Sequence, residues 1–154
     1  MLMNVKIISP SDDLIQIVDE INNASWDESN EISKYDAESL LSYLKRQDTL
    51  FVTCHLIQSG KSIFLGMASA RLEIKPYDKQ LWLYVDEVDV CADQRQKGAG
   101  KALMKKLIEI ASLKGCEEVW LGAEVENIPA NALYRSMEPD DVAQFVGYTY
   151  EIDE

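Results

Sequence analysis

The glycine-rich turn at residues 95–100, Arg-Gln-Lys-Gly-Ala-Gly, is the part of the sequence that most restricts the fold. It follows an apolar segment at residues 81–91 and precedes a helical pattern at residues 101–114. Glycines between a strand and a helix let backbone N–H groups approach an anion, and the helix start adds a partial positive charge. The pattern therefore predicts a strand-turn-helix unit whose turn binds a diphosphate.

Two better-known glycine motifs do not fit this turn. A P-loop has four residues between its glycines and then Gly-Lys-Ser/Thr, and the dinucleotide-binding fingerprint has a third glycine three residues after the second. Here one residue separates Gly98 from Gly100, and Lys-Ala-Leu follows. Both motifs are excluded, whereas the glycines alone remain compatible with an ordinary strand-to-helix turn.

The composition is that of one globular domain spanning residues 1–154, with 47% hydrophobic and 27% charged residues. No apolar run approaches the length that would cross a bilayer, and the first residues lack the apolar core of a signal peptide. Cys54, Cys91 and Cys116 are far apart, and His55 is the one histidine, so we expect reduced thiols and no metal site. We expect a cytoplasmic protein.

The charge of the chain is strongly negative. Fifteen Lys and Arg against 27 Asp and Glu give a formal net charge of -12. Such a chain repels nucleic acid and anionic membranes and attracts cations such as polyamines. On composition alone, solubility explains the negative charge better than a cationic partner does, so the charge by itself does not identify a partner.

Hydrophobic periodicity predicts a β-α-α-β-β-β-α-β-α-β order of elements. The predicted strands lie at residues 3–8, 50–57, 63–74, 81–91, 118–123 and 143–152, and the predicted helices at 12–24, 36–47, 101–114 and 129–136. No repeat or low-complexity segment divides the chain. Residues 26–35 are polar and acidic, and we expect a loop there.

Residues 94–103 resemble the Arg/Gln-x-x-Gly-x-Gly/Ala signature of the acetyl-CoA-dependent N-acetyltransferases of the GNAT superfamily. The element order also resembles that family over nearly the whole chain. The resemblance implies an α/β (α+β) GNAT fold, in which a mixed, mostly antiparallel sheet of six to seven strands is flanked by about four helices. The sheet would splay between its fourth and fifth strands, at residues 84–90 and 119–124.

The resemblance also implies a binding site for acetyl-CoA. The pyrophosphate would be held by Arg95, Gln96, Lys97, Gly98, Ala99, Gly100 and Lys101, chiefly through the main-chain amides of Gln96, Gly98, Gly100 and Lys101. The pantetheine arm would lie in the wedge against the backbone of Val88, Asp89 and Val90. Asn127, Ala130 and Asn131 complete the implied cofactor site.

Residues 127–134 match the family segment Asn-x-x-Ala-x-x-Leu-Tyr, which implies that the Tyr134 hydroxyl faces the thioester sulfur. A donor there would stabilise the thiolate that amine attack expels. Ordinary pKa values of roughly 10 for a phenol and 8.5 for a thiol make full proton transfer uphill by about 2 kcal/mol. We therefore expect a strengthened hydrogen bond from Tyr134. A tyrosine that merely packs on the sheet remains the alternative.

Carboxylates interrupt the predicted fourth strand. The two-residue period places Glu87 and Asp89 on one face and Asp86 on the other. Carboxylates inside an apolar strand are out of character unless they bind or react. We expect Glu87 to be the base or ammonium anchor, directly or through water, with its pKa raised by desolvation. Asp86, Glu124 and Glu126 are candidate substrate contacts, or solvated residues at the rim of the site.

Within the family, residues 41–52, 84–90 and 129–134 resemble the type I aminoglycoside 3-N-acetyltransferases, antibiotic-resistance enzymes whose substrates are polycations bound by carboxylates. Two departures stand out. Residues 137–140, Met-Glu-Pro-Asp, replace the family's usual Gly-Phe, and Glu87 stands where Asp is usual. The first departure affects the geometry of the C-terminal loop, and the second affects how far the carboxylate of the proposed base extends from the β-strand backbone.

The resemblance leads us to expect direct acetyl transfer within a ternary complex. An aminoglycoside acetylated at its 3-amino group is the first candidate acceptor, another polyamine or small amine the second, and a protein or peptide amine the third. A non-catalytic acyl-CoA-binding sensor on the same fold is the alternative from another class. A homodimer agrees with the resemblance, although the residues give no separate evidence for it.

Overall fold

A computed structural model describes residues 2–153 of the chain. Within that range there are five strands: β1 (Leu2–Ile7), β2 (Thr49–Gln58), β3 (Lys61–Lys75), β4 (Asp78–Val90) and β5 (Cys116–Leu121). The helices are α1 (Leu14–Asn23), α2 (Ala37–Leu44), α3 (Ala99–Leu113) and α4 (Ile128–Ser136). One sheet has the order β1-β2-β3-β4-β5, antiparallel except for the parallel β4–β5 pair.

Local sequence signals account for the element boundaries. The Asp13 and Asp36 side chains accept the N–H groups of Gln16 and Ser39 at the starts of α1 and α2, at 3.2 and 2.8 Å. The β2–β3 hairpin turns at Ser59 and Gly60, whose positive φ angles of 51° and 74° suit a tight two-residue turn. The chain therefore begins its elements where capping and turn residues occur.

The sheet is covered on both faces. On one face α3 packs on β4, where Leu83, Leu103 and Leu107 are fully buried. On the other face α1 and α2 bury Phe51 and Met67. This apolar burial is the main stabilising contribution to the fold.

The sheet opens between β4 and β5. Their parallel ladder runs from Leu81↔Cys116 to Val85↔Leu121 and then stops, while β4 continues along β3 as far as Gly66↔Val90. The last residues of β4 consequently have no partner on the β5 side. The expected wedge lies where the sequence placed it.

The expectation of six to seven strands is wrong for the described residues, which form five. Residues 143–152, expected to close the sheet, form no strand ladder and are exposed. A strand needs a hydrogen-bonded neighbour, and residues 2–153 of the same chain supply none for this segment. In that range no helix has both the length and the hydrophobicity needed to cross a membrane.

Candidate active site

A cleft of about 1360 Å³ lies where β4 and β5 diverge. Its walls are the end of β4, the loop at residues 27–31, α4 with the segment before it, and residues 142–147. Four parts of the sequence that are distant along the chain therefore meet at the open wedge.

The glycine turn presents free backbone amides at the start of α3. Gly98 is the N-cap residue with φ +89°, Gln96 also has a positive φ of 64°, and no side chain caps the helix. The first N–H of α3 with a helical acceptor is that of Ala102, which donates to the Gly98 carbonyl at 3.0 Å. The earlier amides remain available to an anion, and this arrangement fits a diphosphate.

Glycine is favoured at positions 98 and 100 of the turn for two different structural reasons. A Cβ at Gly98 would meet nothing within 4 Å, so its positive φ is what favours glycine there. A Cβ at Gly100 would lie 2.8 Å from Leu133 Cδ2 on α4 and 3.5 Å from Val90 Cγ2 on β4. Gly100 therefore permits the close packing of α3 against both elements.

The Arg95 side chain is engaged by the loop at residues 27–30. Its guanidinium donates two hydrogen bonds to the Asp27 carboxylate and another to Asn30 Oδ1 at 3.1 Å. The hydrogen bond from Arg95 holds the pKa of Asp27 well below its usual range, and Asp27 raises that of Arg95. Lys97 donates to Gln94 Oε1 at 2.6 Å. The Arg95 and Lys97 side chains thus contact protein partners, so the main chain of the turn is the candidate anion-binding element.

The backbone of Val88 and Val90 faces the open wedge. The N–H of Cys91 donates to the Leu65 carbonyl of β3 at 2.9 Å. Because successive residues of a strand present their N–H and C=O groups to opposite sides, Val90 and Val88 present theirs away from β3. The Asp89 carbonyl lies on the β3 side, close to Gly66.

Glu87 and Asp89 lie on one face of β4, in the cleft. Asp89 is only 6% exposed; its Oδ1 accepts a hydrogen bond from Asn30 Nδ2 at 3.0 Å, and its Oδ2 has no partner in the described structure. Burial raises the pKa of Asp89. Burial, and then the charges of Asp89 and Asp86, raise the pKa of Glu87. Asp89 thus disfavours the ionised form of Glu87, whereas a hydrogen bond from Glu87 lowers the pKa of Asp89.

The other predicted acceptor contacts lie around the same cleft. Asp86 forms a bidentate ion pair with Arg71, at 2.9 and 3.0 Å, so its charge is already compensated. Glu124 and Glu126 are exposed at the rim. Glu124 and Glu126 are therefore more accessible to a cation than Asp86.

Tyr134 lies in the wall of the cleft, on the inner side of α4. The helix starts with the Asn127 side chain accepting the Ala130 N–H at 3.2 Å. The Asn131 side chain donates to the carbonyls of Glu124 and Asn127, both at 2.8 Å, and so braces the segment before the helix. Burial, and then the charge of Asp89, raise the pKa of Tyr134 to about 12. The phenol therefore keeps its proton at neutral pH.

Sequence reasoning missed the acidic loop as part of the site. Asp27 and Asn30 connect the glycine turn to Asp89, across separations of 68 and 59 residues. The only sequence signal was the polar composition of residues 26–35, which predicts a loop without indicating its contacts. Phe145 was also missed; its ring stacks on Trp120 with centroids 5.3 Å apart.

The cleft has a strong excess of negative charge. Eight lining residues carry a carboxylate: Asp27, Glu28, Glu31, Asp86, Glu87, Asp89, Glu124 and Glu126. Among the described lining residues Arg135 is the one with a cationic side chain. The cleft is thus acidic, although two of these carboxylates, Asp27 and Asp86, are already paired with Arg95 and Arg71.

A mixed sheet that opens beside a helix start with free amides is the architecture expected of a coenzyme A-dependent acetyltransferase. Residues 12–138 match the model of the Acetyltransferase (GNAT) family, and the chain belongs to that family. The family expected from the sequence is confirmed. GNAT acetyltransferases use acetyl-CoA.

Comparison with individual proteins gives a similar result. N-acetyltransferase family 8 member 3 of Mus musculus is 27% identical over 85 residues, 55% of this chain and 38% of the mouse protein. The match therefore spans well under half the length of that relative.

Two solved structures share the fold. One is an aminoglycoside acetyltransferase, meta-AAC0020, from an uncultured soil metagenomic sample, in complex with sisomicin; it has a TM-score of 0.78 and 19% identity, covering 98% of this chain and 97% of the other. The other is AAC(6')-Iy in complex with the bisubstrate analog CoA-S-monomethyl-acetylneamine. It has a TM-score of 0.72 and 14% identity, and the alignment covers 99% of this chain and 100% of the other.

Proposed function

We propose that the protein acetylates an amine of a polycationic small molecule, with an aminoglycoside as the preferred class and its 3-amino group as the acceptor. The observation that carries this proposal is the cleft in which eight residues carry carboxylates and one carries a cation. Several ammonium groups on one acceptor would each find a carboxylate, and the summed field would raise the local concentration of such a molecule. The aminoglycoside complex of a structural neighbour supports the choice of class.

The cofactor site of this proposal rests on main-chain groups. The amides of Gln96, Gly98, Gly100 and Lys101 would hold the diphosphate of acetyl-CoA, and the backbone of Val88 and Val90 would pair with its pantetheine arm. The bound cofactor supplies an activated acetyl thioester. Arg95 serves the site indirectly, because its side chain fixes the loop at residues 27–30 beside the turn.

The proposed catalytic groups are Glu87 and Tyr134. Glu87 takes a proton from the acceptor ammonium, directly or through one water molecule, and its raised pKa brings its basicity closer to neutral pH. Tyr134 remains protonated and presents its hydroxyl as a hydrogen-bond donor to the departing sulfur. Transfer occurs within a ternary complex, because Val88 of the proposed pantetheine surface lines the same cleft as Glu87. Glu124 and Glu126 bind further ammonium groups of the acceptor.

The test is an acetylation screen that follows thiol release with aminoglycosides, linear polyamines and basic peptides. We expect the highest kcat/KM with an aminoglycoside, and NMR of the product should place the acetyl group on the 3-amino nitrogen. Faster turnover of peptides or linear polyamines would overturn the acceptor class. Tight acetyl-CoA binding in calorimetry without turnover of any amine would indicate a sensor.

The site assignment is tested by Glu87→Gln. Because the variant keeps the shape of the side chain but cannot accept the proton, kcat/KM should fall by roughly 100- to 10,000-fold at pH 7. Exposed Glu138→Gln is the matched control and should have wild-type activity. An unchanged kcat/KM for Glu87→Gln would remove Glu87 from the mechanism.

A further inference from the structure

The side-chain amide of Asn30 connects the glycine turn to the buried carboxylate of the cleft. Its Oδ1 accepts hydrogen bonds from Arg95 Nη2 and from the Asp27 N–H, both at 3.1 Å. Its Nδ2 donates to Asp89 Oδ1 at 3.0 Å and lies 3.5 Å from the Val90 carbonyl oxygen. Both polar atoms of the amide therefore have partners, and these lie on three segments: the loop at residues 27–31, the glycine turn and β4.

The partners determine which way round the Asn30 amide lies. If the amide were reversed, its oxygen would face Asp89 Oδ1 and its NH2 group would face the guanidinium of Arg95. Both contacts would be repulsive, because two acceptors would meet at one end and two donors at the other. Asn30 therefore presents a donor to Asp89 for as long as Arg95 holds its oxygen.

This donor meets a carboxylate in an apolar setting. Across the β3–β4 ladder Asp89 lies opposite Met67, a buried residue of the core beneath α1 and α2. In a place that excludes water, a hydrogen bond to the ionised form of a carboxyl group is stronger than it would be in solvent. Of the groups that lower the pKa of Asp89 against the effect of its burial, Asn30 acts most strongly.

The charge of Asp89 acts in turn on Glu87. The two side chains lie on the same face of β4, and two steps along a strand separate their backbone positions by about 6.6 Å. Asp89 raises the pKa of Glu87, since two negative charges at such a distance repel each other. Asp86 and Glu31 act on Glu87 in the same direction, whereas the charge of Arg95 lowers the pKa of Asp89.

The other ionisable groups that face this carboxyl pair are neutral at pH 7. They lie on the segment before α2, at the end of β4 and on α4, and they are Tyr35, Cys91 and Tyr134. Burial raises the pKa of each to about 12. They therefore keep their protons over the range in which the two carboxyl groups titrate.

We propose that Asn30 is a positioning residue for acetyl transfer: it keeps Asp89 ionised inside the cleft, and that charge makes Glu87 a stronger acceptor for the proton of the amine. The inference rests on the proposed function, in which Glu87 takes this proton. The acceptor nitrogen keeps the electron pair of the broken N–H bond, and the proton ends on a Glu87 carboxyl oxygen. Arg95 contributes by holding the oxygen of the Asn30 amide.

The protonation of the two carboxyl groups is measured without catalysis, by following their side-chain ¹³C chemical shifts with pH in the full chain. Asn30→Leu keeps the approximate size of the side chain and removes the amide. The midpoint of Asp89 should then rise by about 1 pH unit, since its ionised form loses a hydrogen bond. The midpoint of Glu87 should fall by about 0.5 pH unit, since Glu87 then titrates beside a neutral neighbour.

The opposite directions of these two changes separate the proposed role of Asn30 from a merely structural one. If Asn30 only held the loop in place, its loss would admit water to Asp89, and both midpoints would fall toward their ordinary values of 3.8 and 4.5. That result would overturn the proposal, as would unchanged midpoints. Asn30→Gln keeps an amide donor and should return both midpoints at least halfway to their wild-type values.

Ser29→Ala is the matched control, because it alters the same loop without touching Asp89. The Ser29 hydroxyl accepts from Arg95 Nη2 at 3.4 Å and donates to Asp27 Oδ1 at 2.6 Å. This variant should leave the midpoints of both Asp89 and Glu87 unchanged. Equal changes in Ser29→Ala and Asn30→Leu would overturn the proposal, since the loop as a whole would then be responsible.

The pH dependence of kcat/KM distinguishes a failure of this inference from a failure of the proposed function. In Asn30→Leu the acidic limb should move to lower pH together with the midpoint of Glu87, while the dissociation constant for coenzyme A should change little. Midpoints that move in opposite directions beside an acidic limb that does not move would overturn Glu87 as the base, and with it the catalytic role of Asn30. Unchanged or jointly falling midpoints would overturn the role of Asn30 alone.

Discussion

Asp89 is the residue of the cleft whose environment departs furthest from that of an ordinary carboxylate. One oxygen accepts from Asn30, the other has no partner among the described residues, and the side chain is 6% exposed. Its aspartate pKa is raised because burial outweighs the favourable contributions of Asn30 and Arg95. The carboxylate therefore costs stability at neutral pH while it raises the pKa of Glu87.

Asp89→Asn should stabilise the protein at high pH. The pKa of Asp89 is raised in the folded protein, so ionising this side chain is more costly in the folded than in the unfolded state. The stability that protonated Asp89 contributes to wild type is therefore lost as pH rises from the ordinary pKa of 3.8 through the folded pKa. We expect the variant to gain about 1 to 2 kcal/mol in the free energy of unfolding at pH 8, with a smaller gain at pH 4.

Urea unfolding at both pH values measures this gain. Exposed Glu126→Gln is the control and should change the free energy by less than about 0.5 kcal/mol. A less stable Asp89→Asn at pH 8 would contradict the prediction, because it would mean that the ionised side chain is well satisfied.

Tyr134→Phe should lower kcat by roughly 10- to 1000-fold, because the variant keeps the ring and loses the hydrogen-bond donor. The dissociation constant for coenzyme A should change little, since the hydroxyl is proposed to act on the sulfur during transfer. Tyr77→Phe, at an exposed turn, provides the control. If kcat of Tyr134→Phe equals that of wild type, Tyr134 has no catalytic role.

The start of α3 combines a ligand-binding turn with a packing contact. Gly98 serves the turn through its positive φ, and Gly100 lets α3 approach Leu133 and Val90. The Arg95 contacts with Asp27 and Asn30 then tie this helix start to the acidic loop. One short segment therefore positions both the proposed cofactor surface and a wall of the cleft.

Alanine at the two glycines should separate these roles. Gly98→Ala should weaken coenzyme A binding while costing only about 1 to 2 kcal/mol in the free energy of unfolding, the strain of a side chain at positive φ. Gly100→Ala should cost about 1 to 3 kcal/mol, because its Cβ would press on Leu133. Calorimetry measures the affinity for coenzyme A, and urea unfolding measures the free energy of unfolding. If both variants changed coenzyme A binding and the free energy of unfolding equally, the two glycines would not have separate roles.

At the scale of the whole molecule, the distribution of charge bears on the proposed polycationic acceptor. The chain has a formal net charge of -12, and eight carboxylate residues line the cleft. Carboxylates at this density bind cations through a summed field that salt screens.

KM for a polycationic acceptor should rise on the order of tenfold between 0.05 and 0.5 M salt, because the Debye length falls over that range. The double variant E124Q/E126Q should have a higher KM at low salt and a smaller dependence on salt. KM values measured at each salt concentration check this. A KM that is independent of salt would mean that the carboxylates do not attract the acceptor.

Short-range patterns were sufficient to predict most of the fold. Alternation over a few residues marked β2, β3 and β4, helical periodicity marked α1 and α3, and glycine spacing placed the turn before α3. Such patterns reflect the local geometry of strands and helices, so they can be read without knowing the partners. The same patterns placed Glu87 and Asp89 on one face of β4.

Contacts between distant parts of the chain decided the remaining features of the fold and of the candidate site. The composition of residues 26–35 did not reveal that Asp27 would engage Arg95 or that Asn30 would bond to Asp89. The pattern of residues 143–152 predicted a strand, yet a strand forms only beside a free backbone edge, and the described chain does not bring one to this segment. Local sequence sets what each segment can form, whereas pairing, burial and raised pKa values depend on which neighbours the folded chain brings into contact.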